Sequence, residues 1–216
     1  MACFRHSASY GGGLRRTMLT LDGLLSLRMP FSATFGGGSC CGVVLQLVPN
    51  LDGSWTENVL HSFTLDEGDN SSGGLVFDRA EQNLFGVTES GGVHGGGTAF
   101  KLKQNADGSW TENVLHNFWS ATNCADGSTP YANLIFDSAG NLYGTTFAGG
   151  TRNSGIVFRL MPNPKGGWKE SVLHSFLNAP GAEPLAGLIF DPTGKAYGTT
   201  QGDHLKTFGS VFELTP

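Results

Sequence analysis

The chain has 216 residues, a formal net charge of −5 and only 14% charged residues. It carries no block of five or six basic residues, so it lacks the clustered Lys and Arg that phosphate binding needs. No apolar run reaches about 18 residues, the length of a helical membrane span. Its 33 glycines lack the every-third spacing of collagen and instead mark many turns.

Residues 1–30 do not resemble the remainder of the chain. Arg15-Arg16 followed by the stretch Thr17 to Leu27 has the outline of an export signal, a basic start and then an apolar run. Asp22 interrupts the run, and no small-x-small cleavage site comes after it. The segment reads as an atypical leader, a degenerate first repeat, or the product of a mis-set start, with Met18 and Met29 as alternatives. The four cysteines, Cys3, Cys40, Cys41 and Cys124, have no CxxC spacing and are too few for a disulfide scaffold. The adjacent Cys40 and Cys41 read as small loop residues in preference to metal or redox ligands.

From Phe31 onward the chain is periodic, with a repeat of about 55 residues. Four phrases recur in fixed order. The first (a) is Gly74-Leu-Val-Phe-Asp78, Asn133-Leu-Ile-Phe-Asp137 and Gly187-Leu-Ile-Phe-Asp191. The second (b) is Phe85-Gly-Val-Thr88, Tyr143-Gly-Thr-Thr146 and Tyr197-Gly-Thr-Thr200, with a weaker copy at Phe31 to Thr34. The third (c) is Val43–Leu47, Thr98–Leu102, Ile156–Leu160 and Ser210–Leu214. The fourth (d) is Trp55–Phe63, Trp110–Phe118 and Trp168–Phe176.

Each phrase is rich in β-branched and aromatic residues and bounded by Gly, Asn, Asp or Pro, which is the signature of a strand. The short connectors, such as Asp137-Ser-Ala-Gly-Asn141 and Asn105-Ala-Asp-Gly108, are hairpin turns that force antiparallel neighbours. Each repeat is therefore a four-stranded meander. The Leu-Ile-Phe phrase, apolar on both faces, is predicted to be the most buried.

One such sheet cannot cover both of its faces, and stacking successive repeats radially does so. The predicted fold is an all-β propeller of four-stranded antiparallel blades, about four in number. It forms one domain over residues 31–216, with repeats at 31–63, 74–118, 133–176 and 187–214. The first and last repeats are incomplete.

Gly187-Leu-Ile-Phe-Asp191, Asn141-Leu-Tyr-Gly-Thr-Thr146, Gly149-Gly150 with Ile156-Val-Phe158, and Trp168 to Phe176 resemble the GloVer-type (choice-of-anchor) tandem repeat. The resemblance covers roughly 180 residues. It implies a long, exported or cell-surface bacterial protein, often with a separate surface anchor, and it supplies no catalytic residues to carry over. This chain departs from it in showing no anchor and a weak first repeat.

The meander places the b–c and d–a loops on one rim. These are the longer loops, and sites favour loops held by a rigid scaffold. Asp66, Glu67, Asp69 and Asn70 there form an oxygen-rich cluster of the kind that can wrap Ca²⁺, although a solvated turn favours the same residues. Glu89, His94, Asn123, Asp126, Arg152, Asn153, Glu183, Asp203 and His204 also fall on this rim and do not recur between repeats. The recurrent His61, His116 and His174, Trp55, Trp110 and Trp168, and Asp78, Asp137 and Asp191 read as scaffold.

No GxSxG, HExxH or phosphate-loop pattern is present. The first functional expectation is a binding or surface-interaction module that offers its rim to a glycan, small-molecule or protein ligand. The alternative is a Ca²⁺-dependent hydrolase of lactones or esters. It would hold the metal on Asp66, Glu67, Asp69 and Asn70 and use His94 or His204 as the base.

Overall fold

A computed structural model describes residues 31–216 apart from 35–36, 39, 178–180 and 203–207. The expectations for residues 1–30 and for Asp203 and His204 lie outside the described residues. Among the described residues, fourteen strands form four antiparallel sheets, each drawn from one repeat. The first holds β1 (Phe31–Ala33), β2 (Val43–Pro49) and β3 (Trp55–Ser62). The second holds β4 (Val76–Phe77), β5 (Asn83–Thr88), β6 (Thr98–Gln104) and β7 (Trp110–Asn117). The third holds β8 (Ile135–Phe136), β9 (Leu142–Thr146), β10 (Ile156–Pro162) and β11 (Trp168–Ser175). The fourth holds β12 (Ile189–Phe190), β13 (Ala196–Thr200) and β14 (Ser210–Leu214). In every sheet, strands adjacent in sequence are adjacent in space.

The turns close as their residues dictate. Asp137 Oδ1 accepts the backbone N–H groups of Ala139 and Asn141 at 2.8 and 2.9 Å, and its Oδ2 accepts the Asn141 amide at 2.7 Å. Asp52 and Asp107 do the same work in the c–d turns, each accepting a serine N–H and hydroxyl. The glycine inside each b phrase has a different purpose. Gly86, Gly144 and Gly198 pair across the sheet with Phe100, Phe158 and Phe212. A Cβ on Gly144 would lie 2.6 Å from the Phe158 ring and 2.9 Å from Leu134, so the aromatic ring occupies the space of the missing side chain.

Among the described residues, three apolar clusters join the four sheets face to face. Phe31, Val44 and Phe63 of the first sheet meet Leu84, Phe100, Leu102 and Trp110 of the second. Phe85, Val87, Ala99 and Phe118 of the second meet Leu134, Leu142, Phe158, Leu160 and Trp168 of the third. Tyr143, Val157 and Phe176 of the third meet Leu188, Phe212 and Leu214 of the fourth.

One aromatic contact repeats at every junction. Phe63–Phe100, Phe118–Phe158 and Phe176–Phe212 meet edge to face at 4.9, 5.0 and 5.0 Å. None of the three clusters joins the fourth sheet to the first. The described residues thus form four sheets packed in chain order.

One expectation changes. The a phrase is not the most buried element. β4, β8 and β12 are two-residue edge strands that pair on one side only, and their residues are half-buried or, for Ile189, exposed. The deepest strands are the middle ones, such as β9, which is buried at every position. As the incomplete last repeat predicts, the fourth sheet lacks a d strand among the described residues. An apolar hollow of about 410 Å³, lined by His174, Phe176, Leu177, Val211 and Phe212, lies beside β14.

Candidate functional site

The rim formed by the b–c and d–a loops is built from one backbone pattern used three times. Asn70, Thr129 and Glu183 occupy equivalent places in successive d–a loops. Each donates its N–H to a carbonyl in the b–c loop of the preceding repeat: Cys41 at 3.1 Å, Gly96 at 2.8 Å and Ser154 at 2.9 Å. The carbonyls of the same three residues accept N–H groups from their own repeat, namely Glu89, Phe147 and Gln201. To bond in both directions the three residues take φ of 59°, 59° and 58°. That region is uncommon for any residue with a side chain and an outlier for the β-branched Thr129. Such strain costs on the order of 1–3 kcal/mol per residue and persists only where the surroundings fix it. The rim is a stiff platform.

Side chains brace the loops further. Glu67 accepts the Thr64 N–H and hydroxyl at 2.9 and 3.0 Å, and its carboxylate contacts His61 Nε2 at 3.2 Å. Burial opposes ionisation of Glu67, but the bonds from Thr64 and the nearby His61 outweigh it and hold the carboxyl below its usual range. Asp126 repeats the arrangement, accepting Ser120 N–H and hydroxyl at 2.9 and 2.6 Å and Ala121 N–H at 3.1 Å. Burial again opposes ionisation, and these bonds again outweigh it and lower the pKa.

His116 Nε2 sits 3.4 Å from Asp126 without a well-directed hydrogen bond. Burial pushes this imidazole toward its neutral form against the pull of Asp126, with a smaller push from His94. The contact is thus between a carboxylate and a largely neutral ring. Each recurrent histidine also packs edge-on to the phenylalanine two residues later, with ring centroids 4.8–5.0 Å apart. Those histidines are scaffold.

The expected metal cluster does not converge. Asp66 is exposed, and Glu67 is occupied by Thr64 and His61. Asp69 exchanges both backbone hydrogen bonds with Ser90, whose hydroxyl is 3.5 Å from its carboxylate. Asn70 serves the rim pattern above. Among the described residues no three His, Cys, Asp or Glu side chains gather as a metal site. His94 is exposed on the b–c loop of the second repeat.

Sequence reasoning missed two pairings between loops. Tyr131 donates its hydroxyl to Glu89 at 2.8 Å, and burial followed by Glu89 pushes the Tyr131 pKa up to about 12. Gln201 donates to Glu183 at 3.0 Å. Glu89 and Tyr131 lie 42 residues apart, so only the stacking of repeats brings them together. Cys40 and Cys41 form a disulfide on the rim of the first repeat. The same rim exposes apolar side chains: Leu65, Val93, Trp119 and Leu177 are each at least half exposed.

The fold has counterparts. The Gloeobacter/Verrucomicrobia repeat model matches residues 31–212, and the chain belongs to that family. No curated protein matches it. Among solved structures it is similar to the periplasmic gluconolactonase of Pseudomonas aeruginosa, at 17% identity and a TM-score of 0.53. That match covers 80% of this chain and 47% of the other. It is also similar to a luciferin-regenerating enzyme, at 17% identity and a TM-score of 0.51, over 83% of this chain and 53% of the other. The chain therefore spans about half the length of the solved structures it matches.

Proposed function

We propose that the chain is an exported binding module whose braced rim docks a glycan or protein ligand. The observation that carries this reading is the exposure of Leu65, Val93 and Trp119 on loops whose backbone is pinned. Apolar side chains held out on a polar rim supply contact area at little ordering cost, as recognition surfaces require. Trp119 offers the largest flat face, and an indole stacks well on the C–H face of a sugar ring or on an aromatic side chain. The carboxylates support the same reading, since Glu67, Glu89, Asp126 and Glu183 all act as struts within the rim. A periplasmic structural neighbour fits an exported chain.

Screening the purified protein against a panel of glycans and secreted proteins tests the proposal. A ligand should emerge whose affinity falls about tenfold or more in Trp119→Ala, with the melting temperature unchanged. A ligand that binds Trp119→Ala as tightly as the parent would refute the rim as its site.

The second reading is hydrolysis of a lactone or ester, favoured by the gluconolactonase neighbour. On this reading Asp66, Glu67, Asp69 and Asn70 hold Ca²⁺ and His94 or His204 serves as base. Glu67 would have to exchange Thr64 and His61 for the metal. Turnover of gluconolactone that EDTA abolishes, calcium restores and Asp66→Ala/Asp69→Ala removes would establish it in place of the first.

A further inference from the structure

The b–c loop of the first repeat differs from its counterparts in the second and third. Its ends are tied as theirs are: Gly42 donates its N–H to the Gly37 carbonyl at 3.3 Å, as Gly97 does to Gly91 at 3.0 Å and Gly155 to Gly149 at 3.1 Å. Between those ends the first loop is one residue shorter, and it alone carries cysteines. Cys40 and Cys41 are joined there as a disulfide. Their surroundings differ. Cys41 is 1% exposed and shares the apolar cluster of Val44, Phe63 and Phe100, whereas Cys40 is exposed on the rim. Two backbone struts end beside the pair. The Cys41 carbonyl accepts the Asn70 N–H at 3.1 Å, and the Gly42 carbonyl accepts the Phe63 N–H at 3.0 Å. The disulfide therefore sits where the first b–c loop meets the end of its d strand and the d–a loop that follows.

We propose that Cys40–Cys41 is a thiol–disulfide exchange site for a dithiol reductant, and that its oxidation state sets how firmly the first b–c loop holds the d–a loop at 64–70. A thiolate of the reductant attacks the sulfur of the exposed Cys40. A bond forms to Cys40, the Cys40–Cys41 bond breaks, and Cys41 leaves as a thiolate that takes up a proton. The second thiol of the reductant then displaces Cys40, which becomes a thiol as the reductant closes its own disulfide. The chain gains two electrons and two protons, and the dithiol gives up both. Cys41 remains in the core as a small apolar residue, so the cluster stays filled. What is lost is a small covalent ring that restrains the backbone leading into the Cys41 carbonyl. Asn70 keeps its φ of 59° only while its surroundings fix it, and that carbonyl is one of its two backbone anchors. Opening the ring frees the segment that carries the exposed Leu65. The matching loops of the second and third repeats, without cysteine, stay as they are. None of this requires a ligand on the rim.

Hydrogen–deuterium exchange of the full chain, before and after dithiothreitol, tests the proposal. In the oxidised protein, the peptide holding Cys40 and Cys41 should resist alkylation until dithiothreitol is added and then take a label on each cysteine. Reduction should speed amide exchange across 64–70 about tenfold, while peptides spanning Thr129 and Glu183 keep their rates. Cys40→Ser removes the disulfide and leaves the buried Cys41 in place. It should show the fast exchange at 64–70 from the start and no response to dithiothreitol. Alkylation of both cysteines before reduction would overturn the proposal, as would exchange at 64–70 that reduction leaves unchanged. So would Cys40→Ser exchanging there as slowly as the oxidised parent. Equal acceleration at all three rim positions would show general loosening in place of a local catch, and would overturn it too.

Discussion

Glu112 and Glu170 show how one residue can set the response of the fold to pH. They lie at equivalent places in β7 and β11, each with a buried Oε1 that has no hydrogen-bond partner. Burial, and then the negative charge of Glu67 or Asp126, pushes each carboxyl up to about 7. A group whose folded pKa lies above its unfolded value destabilises the fold as it ionises. Unfolded glutamate loses its proton near 4.5, whereas these carboxyls keep theirs until about 7. Stability therefore falls as pH rises from about 4.5 to about 7, and levels off above that. Glu112→Gln removes the loss. Its melting temperature should match that of the parent at pH 4 and exceed it at pH 8. Both carboxyls are only half-buried and solvent screening trims the effect, so a rise of about 2–4 °C is expected, near 1 kcal/mol. Calorimetry at the two pH values measures the difference, and equal gains at both would show that ionisation is not its cause.

At the level of strands and turns, the recurring phrases carried most of the fold. Period-two alternation bounded by Asp-x-x-Gly turns placed the b, c and d strands, because hairpins this short admit only antiparallel neighbours. Side-chain pattern could not say that the a strands pair on one side only. Leu134-Ile-Phe136 reads as a buried core, yet Ile135 and Phe136 sit half-buried on an edge. The side chains at 66–70 are a related case. Nearness in sequence does not make carboxylates converge, and the bends that let Glu67 reach Thr64 and Asp69 meet Ser90 point them to different partners. Cys40 and Cys41, adjacent in sequence and read as small loop residues, are joined as a disulfide.

The glycine of the b phrase was legible as a recurrence, but its purpose appears only in the pairing of β9 with β10. Gly144→Ala forces a methyl against the Phe158 ring and should destabilise the protein by about 1–3 kcal/mol. Chemical denaturation should show a lower midpoint, and an unchanged midpoint would mean that the ring shifts without cost.

For the molecule as a whole, the junctions are built alike but are not equally deep. Among the described residues, the cluster between the second and third sheets contains nine buried residues, that between the first and second six, and that between the third and fourth four. In a stacked array each repeat leans only on its neighbours, so the free energy of opening is set locally. Amide hydrogens of β13 and β14 should exchange with solvent fastest, those of β2 more slowly, and those of β6 and β10 slowest. Hydrogen–deuterium exchange with peptide readout checks that order, and uniform protection across the four sheets would contradict it. The thinnest junction then sets how long the chain survives a protease: the fourth repeat peels away first, and the blades behind it stay folded.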